Sequence, residues 1–264
     1  MVRSIKPQSE KQEKIASAVE EFLNSDAELV LPTIGGGRFD YHMRDISIAV
    51  DVFYDEMDKA IEMMGEEAER VNKPISCSKG CSHCCYQPVS CNIAEAILIV
   101  NHLNENGDTR EHFNSKYKAW RRNMDAPGYS KLIAEEVQAS VRGERNKPSK
   151  LMGFVRDNWT ECPFLKDDCC SIYSARPSPC RAHLSLDDPE KCKTANIAMM
   201  AAGKTLDKLL FEKQGPLFIA LTRSLGIDAI ANFPMPLGVY EISKGGKDYI
   251  KLVASQAKEN YIKP

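Results

Sequence analysis

SCSKGCSHCCYQP, residues 76–88, carries four cysteines in nine positions: Cys77, Cys81, Cys84 and Cys85. Thiols two to four residues apart in a short loop gather sulfur around a common point, as a tetrahedral sulfur site requires. The adjacent pair Cys84-Cys85 is harder to place, because the short backbone between them resists putting both thiolates on one ion. A second group, CPFLKDDCCSIYSARPSPCR, runs from Cys162 to Arg181 and contains another adjacent pair, Cys169-Cys170, followed by Cys180. The groups stand about 80 residues apart, so a shared site would tie two distant loops together and help fix the fold. Thiolates need compensating charge; Lys79, Arg176 and Arg181 could add to what a metal supplies.

Working outward, the chain of 264 residues is long enough for one large domain or two small ones. With 43% hydrophobic and 27% charged residues its composition is that of an ordinary globular protein. A net charge of −2 gives no bulk attraction to nucleic acid or to an anionic membrane. The first residues, MVRSIKPQSEKQEKI, lack the apolar run of a signal peptide, and no apolar stretch approaches the ~20 residues of a membrane span. The expected location is therefore cytoplasmic, with neither nucleic acid nor membrane as partner. Under reducing conditions the ten cysteines point to metal rather than to a disulfide scaffold.

The remaining pattern is helical. Residues 9–24 place Ile15, Val19 and Phe22 or Leu23 on one face. A long helix is predicted from Tyr41 to Val71, with Ile46, Val50, Phe53, Met57, Ile61, Met64, Ala68 and Val71 spaced by fours and threes. That stripe suits a core face, or a seam for a homodimer or another protein partner. Pro74 ends the helix and delivers the chain to the first cysteine group. Asn92-Ile-Ala-Glu95 reads as a capping box opening a helix to about Leu103, mostly buried from Ile93 to Val100. The polar stretch 110–145, anchored by Trp120, suits two surface helices. Gly35-Gly36-Gly37 reads as a flexible loop. Asp188-Pro189-Glu190 suggests a helix start with Cys192 in its first turn, where the thiol's pKa would fall. Residues 205–214 are expected to be helical up to Gly215. A turn at Lys244–Lys247 and a last helix past Ile250 close the chain. The expected fold is mainly α: one irregular helical domain, 1–264, with a cysteine-cluster core at 74–195 and helical flanks at 1–73 and 196–264.

Two ordered motifs carry a resemblance. Pro74, Cys77-x3-Cys81-x2-Cys84-Cys85, Cys162-Pro-Phe-Leu165 and Cys170-Ser-Ile-Tyr173-x2-Arg176-Pro177-x2-Cys180-Arg181 resemble the YkgJ-type cysteine-cluster family of zinc- or iron-chelating proteins. The resemblance covers about 110 residues. It implies metal binding by Cys77, Cys81, Cys84, Cys85, Cys162, Cys170 and Cys180. A related cluster occurs in flagellin lysine methylases, where an iron–sulfur centre is implicated in methyl transfer. Cys169 is an extra neighbour of Cys170, Cys91 suits a small buried residue, and Cys192 stays open as a ligand. Paired cysteines and the lack of two CxxC units favour a [4Fe–4S] cluster over zinc. C-x3-C-x2-C is also the spacing of radical S-adenosylmethionine enzymes, but here it follows a helix and Pro74, has His83 before the third cysteine, and leads into no βα series. The cofactors in view are thus an iron–sulfur cluster first, zinc second and S-adenosylmethionine third. Whether the protein is an enzyme is left open. His83 and His183, beside cluster cysteines, are candidates for supporting hydrogen bonds. Each adjacent pair is expected to split its sulfurs, one to a metal and the other to a second metal or to redox work.

Overall fold

In the computed structural model of the chain, residues 5–32, 42–87, 89–124, 132, 160–186, 188–194, 204–227 and 232–261 are described. The expectations for Gly35–Gly37, for Tyr41 as a helix start and for a second helix within 125–145 fall outside them. The fold is mainly helical, and among the described residues no helix is long and apolar enough to cross a membrane.

Helix α1, Glu10–Asn24, starts at Ser9, whose hydroxyl accepts from the Gln12 N–H, and it buries Ile15, Val19, Phe22 and Leu23 together. It packs on α2, Met43–Arg70. The first three turns of α2 are buried on every side, from Asp45 through Tyr54. Ile46, Val50, Phe53 and Met57 of the predicted stripe are fully enclosed, so this part of the stripe is a core face. Its far end is different: Ile61 is half-buried and Val71 is 62% exposed. The stop is a Schellman turn. Asn72 takes a left-handed φ of 55°, its N–H donates to the Glu69 carbonyl, and Lys73 N–H donates to the Ala68 carbonyl. Pro74 follows this stop rather than causing it.

Strand β1, Ser90–Asn92, leads directly into α3, Ile93–Glu105, through the capping box expected of Asn92 and Glu95. Every residue from Cys91 to Val100 is buried, because α3 is the central rod. Packed around it are α2, α4 (Gly107–Met124), α7 (Gln214–Ser224) and α8 (Met235–Tyr261). Phe53 meets Phe218 edge-on at 5.5 Å, joining α2 to α7. Tyr117 stacks on Tyr240 at 4.0 Å, joining α4 to α8. Strand β1 pairs antiparallel with β4, Asn232–Pro234, with Cys91 opposite Phe233. The Phe233 ring lies over Gly238, where a Cβ would stand 1.7 Å from a ring carbon. Only glycine permits that approach.

Three local expectations change. Gly215 does not end its helix: the chain stays helical from α6, Lys204–Asp207, through a π-helical segment, Lys208–Lys213, into α7. The expected turn at 244–247 is a break within α8, at Gly246 with φ 48°. Pro189–Thr194 is a 3-10 segment rather than an α-helix start, so Cys192 gains no helix dipole, and burial pushes its thiol up instead.

Asp45, nearly buried, ties α1 to the start of α2. It accepts from the His42 N–H at 2.9 Å, from Gln12 Nε2 at 3.1 Å and from Lys11 Nζ at 2.5 Å. Burial raises its pKa, but those three donors outweigh burial and hold it below its ordinary value. The ionised form is therefore the one favoured by folding: its stabilisation is complete above the unfolded carboxyl range and is lost as pH falls through the lower folded value. Asp45→Asn should cost about 1–2 kcal/mol at pH 7 and flatten the acid limb of a stability–pH curve measured by urea unfolding. An unchanged acid limb would remove Asp45 from that role.

Candidate metal centre

The first loop doubles back on Gly80, whose φ of 99° only glycine adopts readily, placing Cys81 after a turn closed by Cys81 N–H donating to the Ser78 carbonyl. A 3-10 turn, His83–Tyr86, then carries Cys84 and Cys85. With three residues per turn, successive side chains leave such a turn roughly 120° apart, yet the Cys84 and Cys85 thiols stay close enough to hydrogen-bond.

The second loop is stitched to the first. Cys162 N–H donates to the Cys85 carbonyl at 2.8 Å, and Phe164 stacks flat on Phe113 of α4 at 4.5 Å. A two-residue hairpin follows, β2 Leu165–Lys166 against β3 Cys169–Cys170. Its turn residues, Asp167 and Asp168, both have positive φ, 50° and 58°, the backbone of a type I′ turn. Alternation along β3 sends Cys170 inward and leaves Cys169 exposed. A 3-10 turn, Tyr173–Ala175, and the short helix α5, Ser178–Arg181, bring in Cys180.

Two buried charges hold α5 in place. Glu95, the capping-box carboxylate of α3, also accepts from Ser178 N–H at 2.8 Å, Ser178 Oγ at 2.6 Å and Tyr54 Oη at 3.1 Å. Its other oxygen accepts from Asn92 N–H and Nδ2. Burial pushes the Glu95 carboxyl up, and these donors oppose that. Arg181 donates through Nη1 to both oxygens of Asp58 on α2 at 2.6 Å, and through Nε and Nη2 to the carbonyls of Arg176 and Ser174. Its guanidinium lies 4.2 Å from the Tyr54 ring centre. Arg181 is thus an anchor for the loop, and its charge also favours ionisation of Cys170.

All seven cysteines implied by the resemblance line one cavity of about 310 Å³: Cys77, Cys81, Cys84 and Cys85 from the first loop, Cys162, Cys170 and Cys180 from the second. Apolar side chains, among them Ile61, Val89, Trp120 and Met235, form much of the remaining wall. Cys91 is buried in β1 and Cys192 is buried off the wall. Burial pushes the thiols of Cys77, Cys170 and Cys180 up, and that of Cys162 up to about 12. Cys84 is the contrast. A hydrogen bond from the Cys85 thiol brings it down to about 7, while the same bond, with burial, raises Cys85. Among the described residues no three cysteine, histidine or carboxylate side chains already stand at metal-ligating spacing; the thiols ring the space rather than closing on a point.

Two residues of the wall, Arg176 and His183, test what the space suits. Arg176 Nε and His183 Nε2 are buried and have no hydrogen-bond partner. Burial favours the neutral His183 ring. The Arg176 guanidinium lies 4.0 Å from the Tyr173 ring centre, and its charge favours ionisation of Cys77, Cys84, Cys170 and Cys180. Soft donors, a cation and two residues with an unpartnered polar atom line one space, a set of residue types that suits a metal–sulfur group. The residue that sequence reasoning undervalued is Glu95, read there only as a helix cap; Ser178 gave no signal at all.

Glu95→Ala would strand Tyr54 Oη and the Ser178 N–H without an acceptor, and should cost about 3 kcal/mol in chemical denaturation. Tyr54→Phe, which removes one donor, should cost about 1 kcal/mol. Equal losses from the two would show that Glu95 does not hold α5.

No protein-family model, curated protein or solved structure matches this chain.

Proposed function

We propose that this protein binds metal through the thiolates of its two cysteine loops, as the resemblance to the YkgJ-type family implies, and that the group it holds is an iron–sulfur cluster. The observation that carries this reading is that seven cysteines from loops about 80 residues apart line a single space. Buried thiols facing one another cannot all ionise unaided, since each thiolate raises the cost of the next. A multivalent cation among them removes that cost and is the strongest way to satisfy them together.

The size of the space favours a cluster over zinc. A lone zinc with thiolates at ~2.3 Å makes a closed site with no room beyond the ion. A cavity of about 310 Å³, with apolar walls, suits a larger group and leaves space beside it. Cys77, Cys81, Cys84, Cys85, Cys162, Cys170 and Cys180 are the candidate ligands. Arg176 and His183 would donate to sulfur, the kind of contact that tunes such a centre. A bound [4Fe–4S] cluster supplies one-electron chemistry, or an open iron for a substrate. The apolar wall on the Trp120 and Met235 side is where an organic molecule would sit against it.

Anaerobically purified protein should be brown, absorb near ~400 nm and contain iron and acid-labile sulfide. Colourless protein with stoichiometric zinc would sink the iron reading and leave a structural thiolate site. Cys81→Ser should lose metal, whereas Cys91→Ser should keep it; equal metal in both would overturn the ligand assignment. Arg176→Met should keep the fold and weaken metal retention against a chelator by about 10–100-fold. Calorimetry with S-adenosylmethionine on the loaded protein tests methyl transfer, which a null result would leave without support.

A further inference from the structure

The wall of the cysteine-lined cavity carries charge of one sign. Among the described residues that line it, Arg176 is the only arginine or lysine, and there is no aspartate or glutamate. Carboxylates on the neighbouring segments are engaged or exposed. Glu161 pairs with Lys116 at 3.5 Å and Asp58 with Arg181 at 2.6 Å. Asp167 and Asp168 stand on the exposed turn of the β2–β3 hairpin, where Asp168 accepts from Ser82 Oγ. Arg176 makes no ion pair with any described residue. Its guanidinium rests 4.0 Å from the Tyr173 ring centre, and Lys79 Nζ stands 5.9 Å from the same ring.

A half-buried cation beside apolar wall, with no carboxylate to pair with, is a recognition element for an anion. Thiolates on a metal do not fill that role by themselves, because the metal's own charge offsets theirs. A guanidinium carries five N–H donors in a planar fork, so contact with sulfur along one edge leaves donors for a carboxylate. The rest of the wall suits a hydrocarbon. Ile61 and Trp120 are joined there by Met124 and Met235, whose unbranched side chains adapt to varied shapes. Ser78, Gly80 and Pro179 of the wall are exposed, so the cavity reaches solvent beside Lys79. A space of about 310 Å³, mostly apolar with few polar groups, has the make-up of a small-molecule pocket.

Resting on the reading above that takes this cavity as the functional site, we propose that its organic ligand is a small apolar carboxylate. The carboxylate pairs with Arg176, and the hydrocarbon part lies against Ile61, Trp120, Met124 and Met235. Lys79, at the exposed edge, adds attraction for the same charge. A primary amine is disfavoured, since the described wall has no carboxylate to receive an ammonium group. A lysine side chain therefore has the wrong charge for this cavity.

Calorimetry with octanoate, 1-octanol and octylamine tests this on the full-length chain, with iron, zinc and sulfide counted in the same samples. The three probes share a tail and differ only in head group. Octanoate should bind about 10–100-fold more tightly than octanol, and octylamine more weakly than either. In Arg176→Met the advantage of octanoate should vanish while octanol affinity holds, which also shows that the cavity is intact. Ile61→Trp, which fills the space from α2, should weaken octanoate and octanol together. Equal affinities for the three probes in the native chain, a preference for octylamine, or no binding at all would overturn the proposal, and none of these depends on a variant's folding. An octanoate preference that survives in folded Arg176→Met would overturn it too. Octanoate preference in a chain that takes up no metal would defeat the metal-binding reading and support this one; metal uptake without octanoate binding would do the reverse.

Discussion

The carboxylate of Glu95 is the point on which the two halves of this structure depend. It is buried where α2, α3 and α5 meet, and five donor contacts from Tyr54, Asn92 and Ser178 converge on its two oxygens. A charge in that position is costly unless every lone pair is engaged, so the geometry of its partners is tightly specified. The consequence is mechanical. The helix that forms the centre of the core also sets the position of the turn that carries Cys180. The Arg181–Asp58 pair adds a second constraint from α2, and the Arg181 guanidinium over Tyr54 joins the two.

Around that anchor the cysteine loops use three short-range devices to aim their thiols. Gly80 reverses the chain between Cys77 and Cys81. The 3-10 turn at His83–Tyr86 carries Cys84 and Cys85, whose thiols hydrogen-bond to each other on the cavity wall. The tight hairpin at Asp167-Asp168 sets Cys170 inward and Cys169 outward. Adjacent cysteines are therefore not equivalent in either loop, and the reason differs: a hydrogen bond between the two thiols in one, alternation along a strand in the other. Burial then makes the thiols of Cys77, Cys162, Cys170 and Cys180 reluctant to ionise, whereas Cys84, beside Cys85 and the Arg176 charge, ionises more readily.

Much of the helical framework could be read from the residues. The stripe of α2, the single face of α1 and the Asn92–Glu95 box all follow from spacing within one element, which periodicity and capping chemistry reveal. The hairpin could not be read in the same way. Its turn lacks the Asn-Gly or Asp-Gly signal that normally marks two left-handed residues, and its strands are two residues long. The course past Gly215 was also hidden, because a glycine in a helix is a modest cost that packing on α3 overrides. The dipole expected at Cys192 needed an α-helix, and a short 3-10 segment offers none worth the name.

By itself, then, the sequence determined most of the helical elements, which faces of them are apolar, and that the cysteines gather in two groups. These are properties of neighbours along the chain, and local sterics and hydrophobic period are enough to set them. Only the tertiary structure decided that the first half of the α2 stripe is enclosed in the core, that Arg181 pairs with Asp58, and that a helix cap doubles as the dock for a loop 83 residues away. It also decided that seven cysteines share one wall while Cys192 is buried off it. Those outcomes depend on the competition among buried groups for a small number of partners, and that competition is settled only when distant segments are packed together.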